Sequence, residues 1–191
     1  MILKNFRRWL YRWLPPVNDA WHEKKRKGLQ SKWGGSRVLE CQSEQDRIFW
    51  EKVLQKKTGG IFWEVDAGDG STGSHGVFLE EKAGWKGAVW ESRERPARAA
   101  RKIRKSKVLD ESSPFSEALA EKFASPDLLI LRKEERLSQF GKILRTKSVQ
   151  PAWLVIQAPC PVARVPRLLK HLGYRMIWAF HDDEYYQRSR P

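Results

Sequence analysis

The stretch Ile61–Glu91, IFWEVDAGDGSTGSHGVFLEEKAGWKGAVWE, decides how this chain folds. An apolar segment leads through a Gly/Asp turn and a helix-like segment into a second apolar segment that ends in an acid. That order is the first β-α-β unit of a nucleotide-type cofactor site. The turn Asp66-Ala67-Gly68-Asp69-Gly70 needs small residues, because the backbone bends sharply there and comes close to a ligand. Glu91 falls where Rossmann-like units carry an acid for a ribose hydroxyl pair, about 20 residues beyond the glycine turn.

Outward from this unit, strand-like and helical patterns alternate. Ser43 to Gln55 reads as a helix with Ile48, Phe49, Val53 and Leu54 inward, broken by Gly59-Gly60 before a strand at Ile61 to Val65. A helix over Gly73 to Ala83 precedes a strand at Ala88 to Trp90, and a helix over Arg95 to Arg104 leads to a short strand around Val108-Leu109. Phe115 to Phe123 is helical in pattern, Leu128 to Leu131 is a strand, and Glu134 to Leu144 is a helix. Trp153 to Ile156 is a strand and Val165 to Leu172 a helix stopped by Gly173. Tyr174 to Phe180 and Glu184 to Gln187 read as an antiparallel pair. Alternation of this kind predicts an α/β fold: a Rossmann-like, mostly parallel sheet, closed by an antiparallel C-terminal hairpin and covered by helices on both faces.

The motifs in this order resemble those of the FkbM-like methyltransferases, a branch of the class I S-adenosylmethionine-dependent enzymes. The family form is a hydrophobic strand, Glu or Asp, Val, Gly-Ala-x-Asp-Gly, then Ser-Asn, Leu-Glu, Gly-Trp-x-Gly and Glu-Pro. Glu64, Ala67, Asp69, Gly70, Ser74, Leu79, Glu80, Gly84, Trp85, Gly87 and Glu91 fit it, and Ser43, Gln45 and Asp46 match a Ser-Gln-x-x-Asp segment upstream. The similarity spans roughly residues 41 to 188 and is most specific in its first half. It implies S-adenosylmethionine as cofactor. Glu64, Asp66, Ala67, Gly68, Asp69 and Gly70 would face its methionine half, with Glu64 on the amine. Glu91 would hold the ribose, and Asp110 or its neighbour Glu111 the adenine. The class I fold it implies also ends in an antiparallel last strand.

Departures from the family form lie mainly on the reaction side. Asp66 stands where the family has a glycine, His75 where it has asparagine, and Ser92 where it has proline. Arg132-Lys133-Glu134-Glu135 replaces Asp-Val-Glu-Gly, and Gln157 replaces an acid. By analogy Glu134 is the candidate catalytic base for a hydroxyl acceptor, although its place near the start of a helix also suits a plain surface residue. His171 and His181 are alternatives by chemistry alone. No histidine or cysteine pair has ligand spacing, so no metal site is expected.

Composition suits one compact domain preceded by a distinct arm. The chain has 191 residues, 40% of them hydrophobic, and a net charge of +14. Such a charge favours polyanionic partners: nucleic acid, an anionic membrane face or an acidic polysaccharide. Two cysteines, Cys41 and Cys160, give no disulfide pattern, which suggests a reducing, cytoplasmic location. Residues 1–40 form a basic, aromatic N-terminal segment, and residues 41–191 the methyltransferase-like domain. Within the arm, residues 1–14, MILKNFRRWLYRWL, pattern as an amphipathic helix ended by Pro15-Pro16, and Lys24-Lys25-Arg26-Lys27 is a cationic block. Two placements suit that helix equally: the inner membrane interface, as a peripheral anchor, or the surface of the domain itself. Trp9, Trp13, Trp21 and Trp33 belong to this arm, whereas Trp63, Trp90, Trp153 and Trp178 lie in strand-like runs that read as core.

Two functions follow from the sequence. One is an S-adenosylmethionine-dependent methyltransferase acting on a sugar or other small hydroxylated acceptor, as the resemblance implies. The other is a non-catalytic protein of the same fold that binds a membrane or polyanion through its basic N-terminus.

Overall fold

The chain's structure is a computed structural model that describes residues 46–110, 125–132, 136–145, 149–157, 164–180 and 183–189. The N-terminal arm, Ser43, Gln45, Glu111, Glu134, His181 and the helix expected over Phe115–Phe123 lie outside these residues.

Seven strands form one sheet in the order β3-β2-β1-β4-β5-β7-β6. They are β1 (Ile61–Val65), β2 (Lys86–Trp90), β3 (Lys107–Leu109), β4 (Leu128–Leu131), β5 (Trp153–Gln157), β6 (Tyr174–Phe180) and β7 (Asp183–Arg188). The first five pair in parallel, while β7 runs antiparallel to both β5 and β6. Among the described residues four helices cross between strands: α1 (His75–Lys82), α2 (Glu94–Ile103), α3 (Arg136–Arg145) and α4 (Arg164–His171). This is the mostly parallel, Rossmann-like sheet with an antiparallel C-terminal hairpin that the alternating pattern predicts.

Strand alternation sorts the core into two layers. Trp63, Val65, Ala88, Trp90, Leu129, Leu131, Leu154 and Ile156 join Leu137 and Leu144 of α3 and Leu169 of α4 on one face. Phe62, Val89, Leu128, Ile130 and Val155 join Leu79 of α1 and Phe49 on the other. With both faces covered, β1 and β4 are apolar at nearly every position, as buried parallel strands are. Trp63, Trp90 and Trp178 are buried in these layers, and Trp153 is partly buried. Among the described residues no helix is long and apolar enough to cross a membrane.

The helix expected at Ser43–Gln55 ends differently. Its described part widens into a π-helical turn, Phe49–Val53, and Gln55 and Lys56 then take positive φ to turn the chain toward β1. Phe49 packs against Trp178 and Tyr185, with ring centroids 6.4 and 4.7 Å away. Elsewhere the boundaries move by a few residues. β2 starts at Lys86 rather than Ala88, because its parallel register with β1 continues through Gly87 to Ile61.

Register fixes the site before any side chain is considered. Val65 of β1 lies level with Trp90 of β2 and Leu131 of β4, Trp90 with Leu109, Leu131 with Ile156, and Gln157 with Asp183. The residues just past these ends therefore gather along one edge: Asp66, Glu91, Asp110, Arg132, Gln157 and Asp183. The strand order reverses between β1 and β4, which is where doubly wound sheets bind ligands.

One buried ionic cluster ties β1 to α1 and α2. Arg104, directly after α2, donates to Glu64 Oε2 at 2.8 Å, Ser74 Oγ at 2.8 Å, Gly70 O at 3.2 Å and Glu80 Oε1 at 3.1 Å. All three charged side chains are almost fully buried. Removing the guanidinium strands two carboxylates in the core. Arg104→Met is expected to lower unfolding free energy by about 3–5 kcal/mol, measured by urea denaturation. A loss below about 1 kcal/mol would show that the cluster does not carry the packing of α2 on β1.

Candidate functional site

The turn after β1 is left-handed from its first residue. Asp66 has φ +59°, and Gly68 and Gly70 follow at +66° and +83°. Aspartate tolerates that region better than most non-glycine residues, so it can hold the first position of this turn. The bend is tied to β2 by Asp66 N–H donating to Trp90 O at 2.8 Å. Gly70 lies so close to α2 that a Cβ there would sit 2.7 Å from that of Ala100.

The charge that Asp66 adds is matched. Its side chain is fully buried, and Arg136 at the start of α3 donates to both carboxylate oxygens, Nε at 2.8 Å and Nη2 at 3.2 Å. The guanidinium also lies 4.7 Å from the Trp90 ring centroid, a cation–π contact. Arg132, just beyond β4, donates through Nη1 to Ala67 O at 2.6 Å, through Nη2 to Thr72 O at 2.9 Å and through Nε to Gln157 Oε1 at 2.9 Å. These three partners are neutral oxygens.

Glu91 is fully buried at the end of β2. Its Oε2 accepts from Gly68 N–H at 2.7 Å, so acid and turn form one unit. Arg93 covers the rest, donating from its backbone N–H at 3.0 Å and from its guanidinium at 2.9 and 3.2 Å. Burial alone would raise this carboxyl's pKa, but the hydrogen bonds from Arg93 and Gly68 outweigh it and hold the group ionised below its ordinary value. The Arg93 side chain is 60% exposed and has open solvent to swing into.

The remaining sequence candidates sit as follows. Ala67 and Gly68 belong to the same turn as Asp66, with Ala67 buried. Asp69 points outward and caps its own loop, accepting from the N–H groups of Ser71 at 2.9 Å and Thr72 at 2.8 Å. Those bonds lower its pKa to about 2. Asp110 is at the ligand edge, paired with Arg101 at 2.5 Å. Glu64 is not at the edge: alternation puts it on the same face as Phe62, where Arg104 and Ser74 engage its Oε2. Its Oε1 has no partner among the described residues.

Beyond the sequence candidates, a polar chain extends from Arg132 along the same edge. Gln157 Nε2 donates to Gly73 O at 3.3 Å and to Asp183 Oδ2 at 3.4 Å. His75 Nε2 faces Asp183 Oδ2 at 3.0 Å, and His75 Nδ1 bonds Asp46. A ring with a carboxylate at each nitrogen is an imidazolium, because both nitrogens must donate. Burial would depress the His75 pKa, but the charge of Asp46 and the hydrogen bonds to Asp183 and Asp46 outweigh it and raise it to about 10. Sequence marked His75 and Gln157 only as departures from a pattern and Asp46 only as a match. Nothing in it paired them with Asp183, 108 residues away from His75.

The sign of the pH effect follows from the raised value. Stability from His75 is complete below its unfolded pKa of about 6.5 and is lost as pH rises toward about 10. By NMR, the His75 ring should stay in the imidazolium form at pH 8.5, and urea unfolding should show a falling advantage of wild type over His75→Gln from pH 6.5 to 10. A ring that titrates near 6.5 in the folded protein would contradict the assignment.

No family model matches the sequence, and no curated protein matches it. Solved structures do. A methyltransferase from Pyrococcus furiosus superposes with a TM-score of 0.56 at 12% identity, covering 88% of this chain and 95% of that one. Human methyltransferase 10 domain containing protein gives 0.53 at 15%, covering 78% and 83%. Aeropyrum pernix fibrillarin, solved with natively bound S-adenosyl-L-methionine, gives 0.52 at 14%, covering 75% and 72%. At these identities the likeness is one of fold, and the chain has the Rossmann-like fold of the class I methyltransferases.

Proposed function

We propose that this chain is an S-adenosylmethionine-dependent methyltransferase of the FkbM-like kind, acting on a hydroxyl of a sugar or other small hydroxylated acceptor. The observation that carries the reading is Glu91: a buried, ionised carboxylate at the carboxyl end of β2, the strand beside β1, joined to the backbone of the glycine turn at 2.7 Å. An ionised carboxylate is the natural acceptor for a vicinal diol, and Arg93 can leave it for solvent.

The residues of the turn suit the amino-acid end of the cofactor as well. Arg132, a cation whose partners among the described residues are neutral, matches its carboxylate, and Asp66 and Ala67 O are acceptors for its ammonium. When bound, the cofactor supplies an electrophilic methyl group on a sulfonium. The protein supplies alignment: Glu91 and Arg132 fix the two ends, while Gln157 and Asp183 offer an amide and a carboxylate to acceptor hydroxyls at the ends of β5 and β7. Glu134 is the proposed base, carried over from the family pattern.

A second reading has its own observation. The acceptors of the turn are already engaged within the chain, Asp66 by Arg136, Ala67 O and Thr72 O by Arg132, and Glu91 by Arg93. A site so well satisfied suits a non-catalytic descendant that binds membrane or polyanion through its N-terminal arm.

Isothermal titration with S-adenosylmethionine and S-adenosylhomocysteine separates the two. The methyltransferase reading expects both to bind, and Glu91→Ala to weaken both at least about tenfold, the loss of a charge-assisted hydrogen-bonded pair. No heat from wild-type protein with a folded circular-dichroism spectrum would reject it in favour of the second reading.

A further inference from the structure

The α2 segment carries an unusual charge pattern. From Arg93 to Lys107 there are eight basic residues and a single acidic one, Glu94. Some are neutralised: Arg93 by Glu91, Arg98 by Glu94, Arg101 by Asp110 and Arg104 by Glu64 and Glu80. Arg95 and Lys102 have no carboxylate partner among the described residues. On a helix, Arg95 with Arg98 and Arg98 with Lys102 are neighbours, and like charges at these spacings repel. A merely solvated face would interleave acids, as salt-bridged surface helices do.

The same cations border a concavity of about 440 Å³, lined by Arg95, Arg98, Ala99, Lys102 and Ile103 of α2, and by Asp69 and Ser71 of the turn loop. Its wall is apolar at Ala99 and Ile103. Ile103 is 54% exposed, the one exposed large hydrophobic among the described residues. A second concavity of about 380 Å³ is lined by Lys86, Lys105 and Lys107 together with Glu80 and Trp85. Cationic groups beside an apolar wall of this size match one nucleotide unit, with phosphate against the cations and the base against the wall. A membrane-facing surface would present several exposed apolar side chains; this one has Ile103.

We propose that the outer face of α2 and the basic residues just after it, from Arg95 to Lys107, bind the phosphate backbone of single-stranded nucleic acid, seated in the Arg95–Lys102–Ile103 concavity. The wall is aliphatic rather than aromatic, so stacking adds little base preference and ion pairing with phosphate dominates. Binding is therefore sequence-tolerant and strongly dependent on salt.

Fluorescence anisotropy with a fluorescein-labelled oligouridylate tests this between 50 and 200 mM salt, conditions over which such ion pairs weaken steeply. Arg95→Glu/Lys102→Glu should weaken binding by roughly tenfold or more and flatten the salt slope by about 0.7 for each phosphate that is no longer neutralised. Lys52→Glu/Lys170→Glu makes the same change in net charge at exposed positions away from α2 and should have a much smaller effect. Ile103→Gln should weaken binding a few-fold, roughly, with the slope unchanged. Equal losses in the two charge variants, no loss at Arg95 and Lys102, or no binding by wild type would overturn the proposal. So would sedimentation with phosphatidylglycerol vesicles that needs Arg95 and Lys102 when oligouridylate binding does not.

Discussion

The structure depends on the bend after β1, where Asp66 takes a left-handed conformation with its carboxylate buried. Val65, Trp90 and Leu131 end level with one another, so the path of this turn sets what lies over the carboxyl ends of three strands. A glycine would adopt the conformation without adding a charge. Aspartate adopts it at some cost and brings a negative charge into a space with 0% side-chain exposure. Arg136 makes that tolerable: it contributes two charge-assisted hydrogen bonds to Asp66 and stacks over Trp90. Arg132 then fixes Ala67 and Thr72 from the same β4–α3 connection. Asp66 and the arginines that follow β4 therefore act as one unit.

Two groups of buried charge on the Phe62 face of β1 serve different ends. Arg104, Glu64 and Glu80 lock α1 and α2 to the back of the strand. Asp46, His75 and Asp183 join the segment before β1, the first turn of α1 and the start of β7. Through Gln157 and Arg132 that second group continues to Ala67 O in the turn itself. Buried ion pairs contribute little net stability over apolar packing, yet breaking one is costly, so they act mainly to define which segments meet. Here they define the geometry of the strand edge, where the chemistry of a class I site would take place.

Much of the fold was legible because its strands are buried on both faces. Leu128-Leu129-Ile130-Leu131 and Trp153-Leu154-Val155-Ile156 are short apolar runs between turn residues, which leave few other readings. The turn and Glu91 were legible for a related reason: glycines and an acid at a fixed spacing report a local unit. Glu64 shows where that reasoning stops, since a match to a pattern does not say which face a strand residue takes. Alternation with Phe62 places it among α1 and α2, away from the ligand edge. The side-chain partners of Asp66 and His75 and the arginine on Ala67 O were not legible, because each arises from pairing across 29 to 108 residues of chain. The π-turn at Phe49–Val53 was missed as well, because the π-helical turn and the helical pattern share the same apolar spacing at its start.

A double-mutant cycle on Asp66 and Arg136 tests the central claim most directly. Unfolding free energies would be measured in urea for wild type, Asp66→Gly, Arg136→Met and the double variant. If the pair stands in for the ordinary glycine, Arg136→Met alone leaves a buried carboxylate without its guanidinium, and the double variant recovers much of that loss. The coupling should be about 1–3 kcal/mol. Additive losses, with coupling below about 0.5 kcal/mol, would contradict the claim and reduce the contact to an incidental ion pair.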